Sequence, residues 1–168
     1  MRYHAAMSKK TRRLEAVLVL VDIRSVHNVG AIFRTADAAG VEKIFCAGYT
    51  PTPTDRFGRV RADIKKTALG AEESVPWEAA PRIGTLIKRL KKEGYTILVL
   101  EQDPRAVDYK KIKLKGKVAL LVGNETEGIP GKVLDICDTI IEIPMAGKKE
   151  SLNVSVATGV ALFRILGI

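Results

Sequence analysis

The chain has 168 residues, 46% hydrophobic, 5% aromatic and 28% charged, the proportions of one globular domain, which exclude wholesale disorder and a fibrous repeat. Lysine and arginine number 28 against 19 aspartates and glutamates, a formal net charge of +9 that favours a polyanionic partner. Two cysteines, Cys46 and Cys137, lie in separate apolar segments without a Cys-x-x-Cys pair; a disulfide framework and a zinc ribbon are excluded, and reduced thiols in the cytoplasm are expected. Residues 1–15 form a basic arm, in which Arg2, Lys9, Lys10, Arg12 and Arg13 meet no acid before residue 15. The arm lacks the apolar core of a signal peptide, and no apolar run is long enough to span a bilayer.

From residue 16 to 168 a single domain is expected. Apolar, β-branched runs at 16–21, 43–46, 96–100, 118–122 and 139–143 read as strands. Between them, Ala31, Ile32, Thr35, Ala36 and Ala39 recur at helical spacing up to Gly40, a C-terminal stop. Ile83, Leu86, Ile87 and Leu90 do the same before Gly94, and Leu152, Val156, Val160, Phe163 and Leu166 line a last helix. Near-continuous apolar strands alternating with amphipathic helices predict an α/β domain, a mainly parallel sheet covered by helices on both faces.

The positive charge is clustered. Beyond the arm, Arg56, Arg59, Arg61, Lys65 and Lys66 crowd one stretch; residues 82–92 carry five cations unopposed, and 105–117 carry six against Asp108 alone. The clusters point to nucleic acid, while the low aromatic content points away from the base-stacking platform of a single-strand binder.

Three segments after expected strands are too rich in polar, Gly and Pro residues to be scaffold alone, and open parallel sheets place ligand crevices there. They are Asn-Val-Gly-Ala-Ile-Phe-Arg (28–34), Leu-Val-Gly-Asn-Glu-Thr-Glu-Gly-Ile-Pro (121–130) and Ile-Pro-Met-Ala-Gly-Lys-Lys-Glu-Ser-Leu-Asn (143–153). Ile129-Pro130 follows Gly128 where a P-loop needs Lys-Ser/Thr, and no G-x-G-x-x-G or G-x-S-x-G is present, so the usual nucleotide and hydrolase fingerprints fail. His4 and His27 are too far apart for a local zinc pair, and no metal is expected. Asn28 reads as an N-cap. Arg34 sits among small apolar neighbours, an awkward place for a guanidinium that nothing needs. Glu125, after a buried strand, is placed to orient Arg34 or to organise its own loop. Ser151 reads as the cap of the last helix, which leaves the Ile143-Pro144-Met145 strand exit and Asn153 unexplained.

Together, in order and at these spacings, the segments resemble the three signature motifs of the SpoU/TrmH-type RNA ribose 2′-O-methyltransferases of the SPOUT superfamily, over nearly the whole chain. The resemblance implies a C-terminal trefoil knot, an exception to the rule against threading. It implies S-adenosyl-L-methionine as cofactor and transfer RNA or ribosomal RNA as substrate. It makes Arg34 the central catalytic residue, clamping a phosphate beside the target ribose, with Asn28, Glu125, Ser151 and Asn153 completing the catalytic set. Because an arginine surrenders its proton only with great difficulty, orientation and electrostatics are its expected role. Leu100, Glu101, Gly123, Ile143, Met145, Ser151 and Leu152 are the expected cofactor contacts, with Ile143 and Leu152 sandwiching the adenine. A sulfonium donor also accounts for cations lying outside the pocket rather than within it. RNA recognition is then expected on the basic arm, on 56–66 and on surface lysines. The family's homodimer is expected too, with apolar Leu162, Phe163, Ile165 and Leu166 available for it. The alternative is a non-catalytic basic RNA-binding or assembly module of the same fold.

Overall fold

Successive side chains of a strand point to opposite faces, so an unbroken apolar run can only be satisfied where both faces are covered. Glu15–Val21 (β1) does this: Ala16, Leu18 and Leu20 enter one core and Val17, Val19 and Val21 another. The computed structural model describes residues 14–168; the expected basic arm falls almost entirely on residues 1–13, outside the described part.

Seven parallel strands pair in the order β3-β2-β1-β6-β4-β7-β5. They are β1, Lys43–Ala47 (β2), Trp77–Ala80 (β3), Tyr95–Leu100 (β4), Val107–Asp108 (β5), Lys117–Val122 (β6) and Thr139–Glu142 (β7). Four helices pack on one face: Val26–Ala39 (α1), Ala62–Ala68 (α2), Ala71–Ser74 (α3) and Val154–Leu166 (α6). Ile83–Lys92 (α4) and Gly131–Leu134 (α5) cover the other. Each fully buried aliphatic or Phe side chain in these layers contributes about 1.5–3 kcal/mol. β4 lies between β6 and β7, so the chain leaves one side of β4 and returns on the other, an order consistent with a threaded C-terminal segment.

The expected strands form within a residue or so, except that 139–143 ends at Glu142 and releases Ile143 into the next loop. β3 and β5 were not expected; both are short edge strands with half-exposed or exposed residues, so neither carries a continuous apolar run. Gly40 ends α1 at φ 71°, its N–H bonded to the carbonyls of Ala36 and Asp37. Two caps differ from expectation. Ser25, not Asn28, caps α1, its hydroxyl accepting from the Asn28 N–H. Asn153, not Ser151, caps α6, its side-chain oxygen accepting from the Ser155 N–H at 2.9 Å. Asn28 is thereby a first-turn helical residue whose side chain is not spent on capping.

Gly30 explains how α1 meets α2. A Cβ there would stand 1.9 Å from Thr67 Oγ1 and 2.7 Å from the Ile64 carbonyl oxygen. Gly30→Ala should destabilise the fold by about 1–3 kcal/mol, read as a lower midpoint in thermal melts. Adding Thr67→Ala should recover part of the loss, because the backbone oxygen remains in the way. Full recovery, or no loss at all, would show that α1 and α2 are not in register here.

Candidate functional site

The loops that leave the C-terminal ends of β4, β6 and β7 enclose a crevice of about 700 Å³, including its open mouth. Leu100, Glu101, Gly123, Ile143, Met145, Ser151 and Leu152 all line it, as does Glu125. Every expected cofactor contact is therefore brought to one place, outside the carboxyl ends of the strands, where open parallel sheets hold their ligands. Gln102, Asn124, Glu142, Val154 and Ala157 complete much of the wall. Three carboxylate residues, Glu101, Glu125 and Glu142, belong to this lining, and among the described residues no lysine or arginine does.

The wall after β6 is built by its own backbone. Asn124, almost fully buried, accepts from the N–H groups of Thr126 and Glu127 at 2.8 and 3.0 Å through Oδ1. Its Nδ2 donates to the Asp22 carbonyl at 2.9 Å, tying the loop to the end of β1. The Gly128 N–H returns to the Asn124 carbonyl at 3.0 Å. Gly123 is required where the loop closes on itself, since a Cβ would lie 2.5 Å from Ile129 Cγ1 and 2.9 Å from the Gly128 carbonyl carbon. Glu101 holds the other rim, accepting from the Gln102 N–H and the Ile129 N–H, both at 2.9 Å. Gln102 in turn donates to the Glu150 carbonyl and anchors the 143–153 loop.

Sequence reasoning missed two of these residues, Asn124 and Asp22. Asn124 stood inside a quoted motif, and an Asn directly after a buried strand is a signal for backbone bonding. Asp22 adopts φ 54°, a left-handed conformation in which Asp is enriched. Its carbonyl serves Asn124, while its Oδ1 accepts from the Tyr49 N–H at 2.8 Å.

Three of the expected catalytic residues meet at the lip. Asn28 Nδ2 donates to Glu125 Oε1 at 2.7 Å, and Asn153 Nδ2 donates to Asn28 Oδ1 at 3.1 Å. Desolvation alone would raise the Glu125 carboxyl, but the Asn28 amide and nearby backbone N–H groups outweigh it and hold it below the usual value of 4.5. Exposed Ser151 stands on the same lip.

Arg34 is elsewhere. Six residues after Asn28, it lies about 9 Å further along α1, exposed, in an outer hollow with Thr35, Lys66, Leu69 and Phe163. Among the described residues its guanidinium makes no hydrogen bond or ion pair, so the expected contact from Glu125 does not form; that carboxylate is taken by Asn28 and the Arg24 N–H.

The charge clusters are less free than their local sequence suggests. Arg89 pairs with Glu78 at 2.7 Å, Lys91 with Asp138 at 2.7 Å, and Arg105 with both Asp103 and Asp135 at 2.8 and 2.9 Å. Counting along the chain could not see acids that arrive from other elements. Both thiols are free, and burial pushes them up, Cys46 to about 12 and Cys137 to about 11. No group of His, Cys, Asp and Glu among the described residues is arranged to hold a metal ion, and none of their helices is long and apolar enough to cross a membrane.

A family model described as the SpoU rRNA Methylase family matches residues 15–163. A 23S rRNA (guanosine-2′-O-)-methyltransferase RlmB of Xanthomonas axonopodis pv. citri is 37% identical over 147 residues, 88% of this chain and 56% of that protein. The protein of the same description from Escherichia coli is 39% identical, over 88% of this chain and 58% of its own length. The chain thus spans little more than half of the curated relatives it matches. Among solved structures, an AdoMet-bound rRNA methyltransferase from Sinorhizobium meliloti superposes with a TM-score of 0.82 at 30% identity, covering 90% of this chain and 55% of that one.

The Glu125 junction is pH-sensitive with a defined sign. A carboxyl whose folded value is depressed stabilises the fold above its unfolded value and stops doing so as pH falls through the folded one. Glu125→Gln should therefore melt below wild type at neutral pH, with the gap closing as the solution is acidified below 4.5. A gap that persists unchanged into acid would mean the carboxylate charge does not hold this lip together.

Proposed function

The chain belongs to the SpoU rRNA methylase family, and from that premise we propose that it transfers a methyl group from S-adenosyl-L-methionine to a ribose 2′-hydroxyl of ribosomal or transfer RNA. The observation that carries this reading is the charge of the crevice: on a chain of net charge +9, the described residues line it with three carboxylates and no cation. Such a lining repels polyphosphates and suits a ligand bearing a sulfonium and an ammonium group.

The residues present fit that cofactor. Leu100, Ile143 and Leu152 offer apolar faces to an adenine, backbone groups around Met145 can meet its polar edge, and Ser151 and the carboxylates suit the amino-acid end. When bound, the cofactor supplies an activated methyl carbon for in-line displacement, a reaction that needs no metal. This chain's residues then have to align the ribose oxygen and exclude water. Asn28, Glu125 and Asn153 hold the lip where that oxygen enters. Arg34, a rigid five-donor fork, clamps the adjacent phosphate and stabilises developing negative charge on the ribose oxygen.

Arg34 reaches a crevice most directly in a homodimer. α6 is apolar on two sides: Thr158, Ala161, Leu162 and Ile165 face the core, while Val156, Val160 and Phe163 are 52%, 38% and 37% exposed. Of the residues expected at the dimer contact, Phe163 faces out, whereas Leu162 and Ile165 are buried within the chain. Phe163 borders the Arg34 hollow, so a second copy seated on α6 would receive Arg34 beside it. The cytoplasm, where such RNAs and free thiols coexist, is the proposed setting.

The test is tritium transfer from labelled S-adenosyl-L-methionine into unmodified total RNA, followed by nucleoside analysis. Label is expected in a 2′-O-methylated nucleoside, and Arg34→Ala should reduce it on the order of a hundredfold or more while calorimetric cofactor binding persists. Label on a base would overturn the 2′-hydroxyl assignment, and neither label nor cofactor binding would leave the basic RNA-binding module. In sedimentation, wild type should run as a dimer and Val160→Glu as a monomer that binds cofactor without methylating. A fully active monomer would refute the shared site.

A further inference from the structure

Tyr49 is 90% and Phe57 67% exposed, the two most exposed large apolar side chains among the described residues. Both lie on the connection from β2 to α2, which leaves the same edge of the sheet that holds the crevice. Folding gives neither ring a partner within a core, yet the segment that carries them is tightly built. The Thr50 hydroxyl, buried, donates to the Leu20 carbonyl at 2.7 Å and accepts from the Ile23 N–H at 3.1 Å, stapling the connection to the end of β1. Asp55 Oδ1 accepts from the N–H groups of Phe57 and Arg59 at 2.8 and 3.0 Å, and Thr54 bridges to Val60 across the turn. Hydrogen bonds from the Arg59 backbone and side chain hold the Asp55 carboxyl below the usual carboxylate range.

Two guanidinium groups flank the Phe57 ring, Arg56 at 4.7 Å and Arg59 at 5.0 Å from its centroid. They are held differently. Arg59 is fixed by Asp55 Oδ2 at 2.8 Å, whereas Arg56 lies over the ring and makes no hydrogen bond or ion pair with the described residues. One of the two cations beside Phe57 is thus held in place by Asp55, and the other is held by no hydrogen bond or ion pair among the described residues. Aromatic rings and guanidinium planes are the surfaces on which unpaired bases stack, and a released arginine can take the neighbouring phosphate.

We propose that this connection is a base-stacking arm on which Phe57 and Tyr49 receive unpaired nucleobases of the RNA that flank the target ribose. The inference rests on the proposed methyl transfer for the identity of the RNA, but its chemistry is separable from that reaction. The arm communicates with the crevice through Asp22, which accepts from the Tyr49 N–H on one side and from Asn124 on the other. The low aromatic fraction, 5% of the chain, led away from such a surface; two exposed rings on one ordered segment are enough to make one.

The test uses the full chain and two probes: an oligoadenylate of about a dozen nucleotides, within single-strand site sizes, carrying a central 2-aminopurine, and a duplex of the same length. Wild type should quench the 2-aminopurine and bind the single strand; Phe57→Ala should weaken that binding about tenfold, the weight of one base–aromatic stack. Duplex binding should change little, Phe57→Trp should restore the single-strand affinity, and thermal melts should be unmoved. Phe57→Ala binding both probes like wild type would overturn the proposal, as would equal loss on both. Methyl transfer to unmodified total RNA, run in parallel, separates the two readings. A wild type that methylates with Phe57→Ala unchanged in KM sinks the arm alone. A wild type that never methylates but loses single-strand binding with Phe57 sinks the reaction alone.

Discussion

The Asn28 carboxamide meets the Glu125 carboxylate at 2.7 Å and the Asn153 amide at 3.1 Å, and this junction holds three distant stretches of chain at one point. Each partner uses its polar groups in a way a substitute would not. Asn28 donates with one end and accepts with the other. Asn153 donates to Asn28 and spends its oxygen on the N–H and hydroxyl of Ser155, which starts α6. Glu125 is held as an anion by donors alone. An Asp at 28 would lose the donor and bring a second carboxylate against the first; a Ser at 153 would cap the helix but could not span to Asn28. The start of α1, the loop after β6 and the start of α6 are thus registered by side chains rather than by sheet pairing, and the crevice keeps its shape only while they are.

A second constraint is the separation of charge. The chain is strongly basic, but its concave site is lined by carboxylates, and a concave, low-dielectric wall amplifies whichever sign it carries. The described cations lie on helices and loops outside the crevice lining, where their field attracts polyanions. Several of these cations are tied into exposed ion pairs, each worth about 0–1 kcal/mol, which dock loops to helices more than they stabilise the fold. Lys43 and Arg89 both converge on Glu78, for example, and pin α4 to the sheet edge. The positive field that remains belongs to residues without such partners, Arg34 and Arg56 among them.

The central strands were legible because a strand buried on both faces must read as an unbroken apolar run. The crevice was legible because two of its three walls, after β6 and after β7, are contiguous motifs. What stayed hidden has specific physical causes. Edge strands such as β3, Trp-Glu-Ala-Ala, bury too little to show a pattern. Caps were misassigned because Ser25 and Asn28, or Ser151 and Asn153, are both competent, and backbone dihedrals choose between them. α6 misled because it is apolar on two sides, so its periodicity could not say which stripe meets the core. The Arg34–Glu125 contact failed for a simpler reason: a helix advances about 1.5 Å per residue, and six residues carry Arg34 beyond the carboxylate's reach.

In the proposed methyl transfer, that advance makes α1 the organising element. Its first turn reaches the crevice through Asn28, and its middle packs against α2 through the bare backbone at Gly30. Its outer face carries Arg34 into a hollow shared with Lys66 and Phe163. These points share one continuous helix whose approach to α2 at Gly30 is backbone-close, so a shift at one is carried to the others. α2 in turn continues directly from the connection bearing Tyr49 and Phe57, whose other end is fixed to Asp22 at the crevice wall. A nucleic acid seated across these rings would therefore meet one rigid body rather than several independent loops. For a displacement that depends on aligning two reacting atoms, that rigidity matters more than the strength of any single contact, because misplacement by about 1 Å can slow such a reaction on the order of a hundredfold.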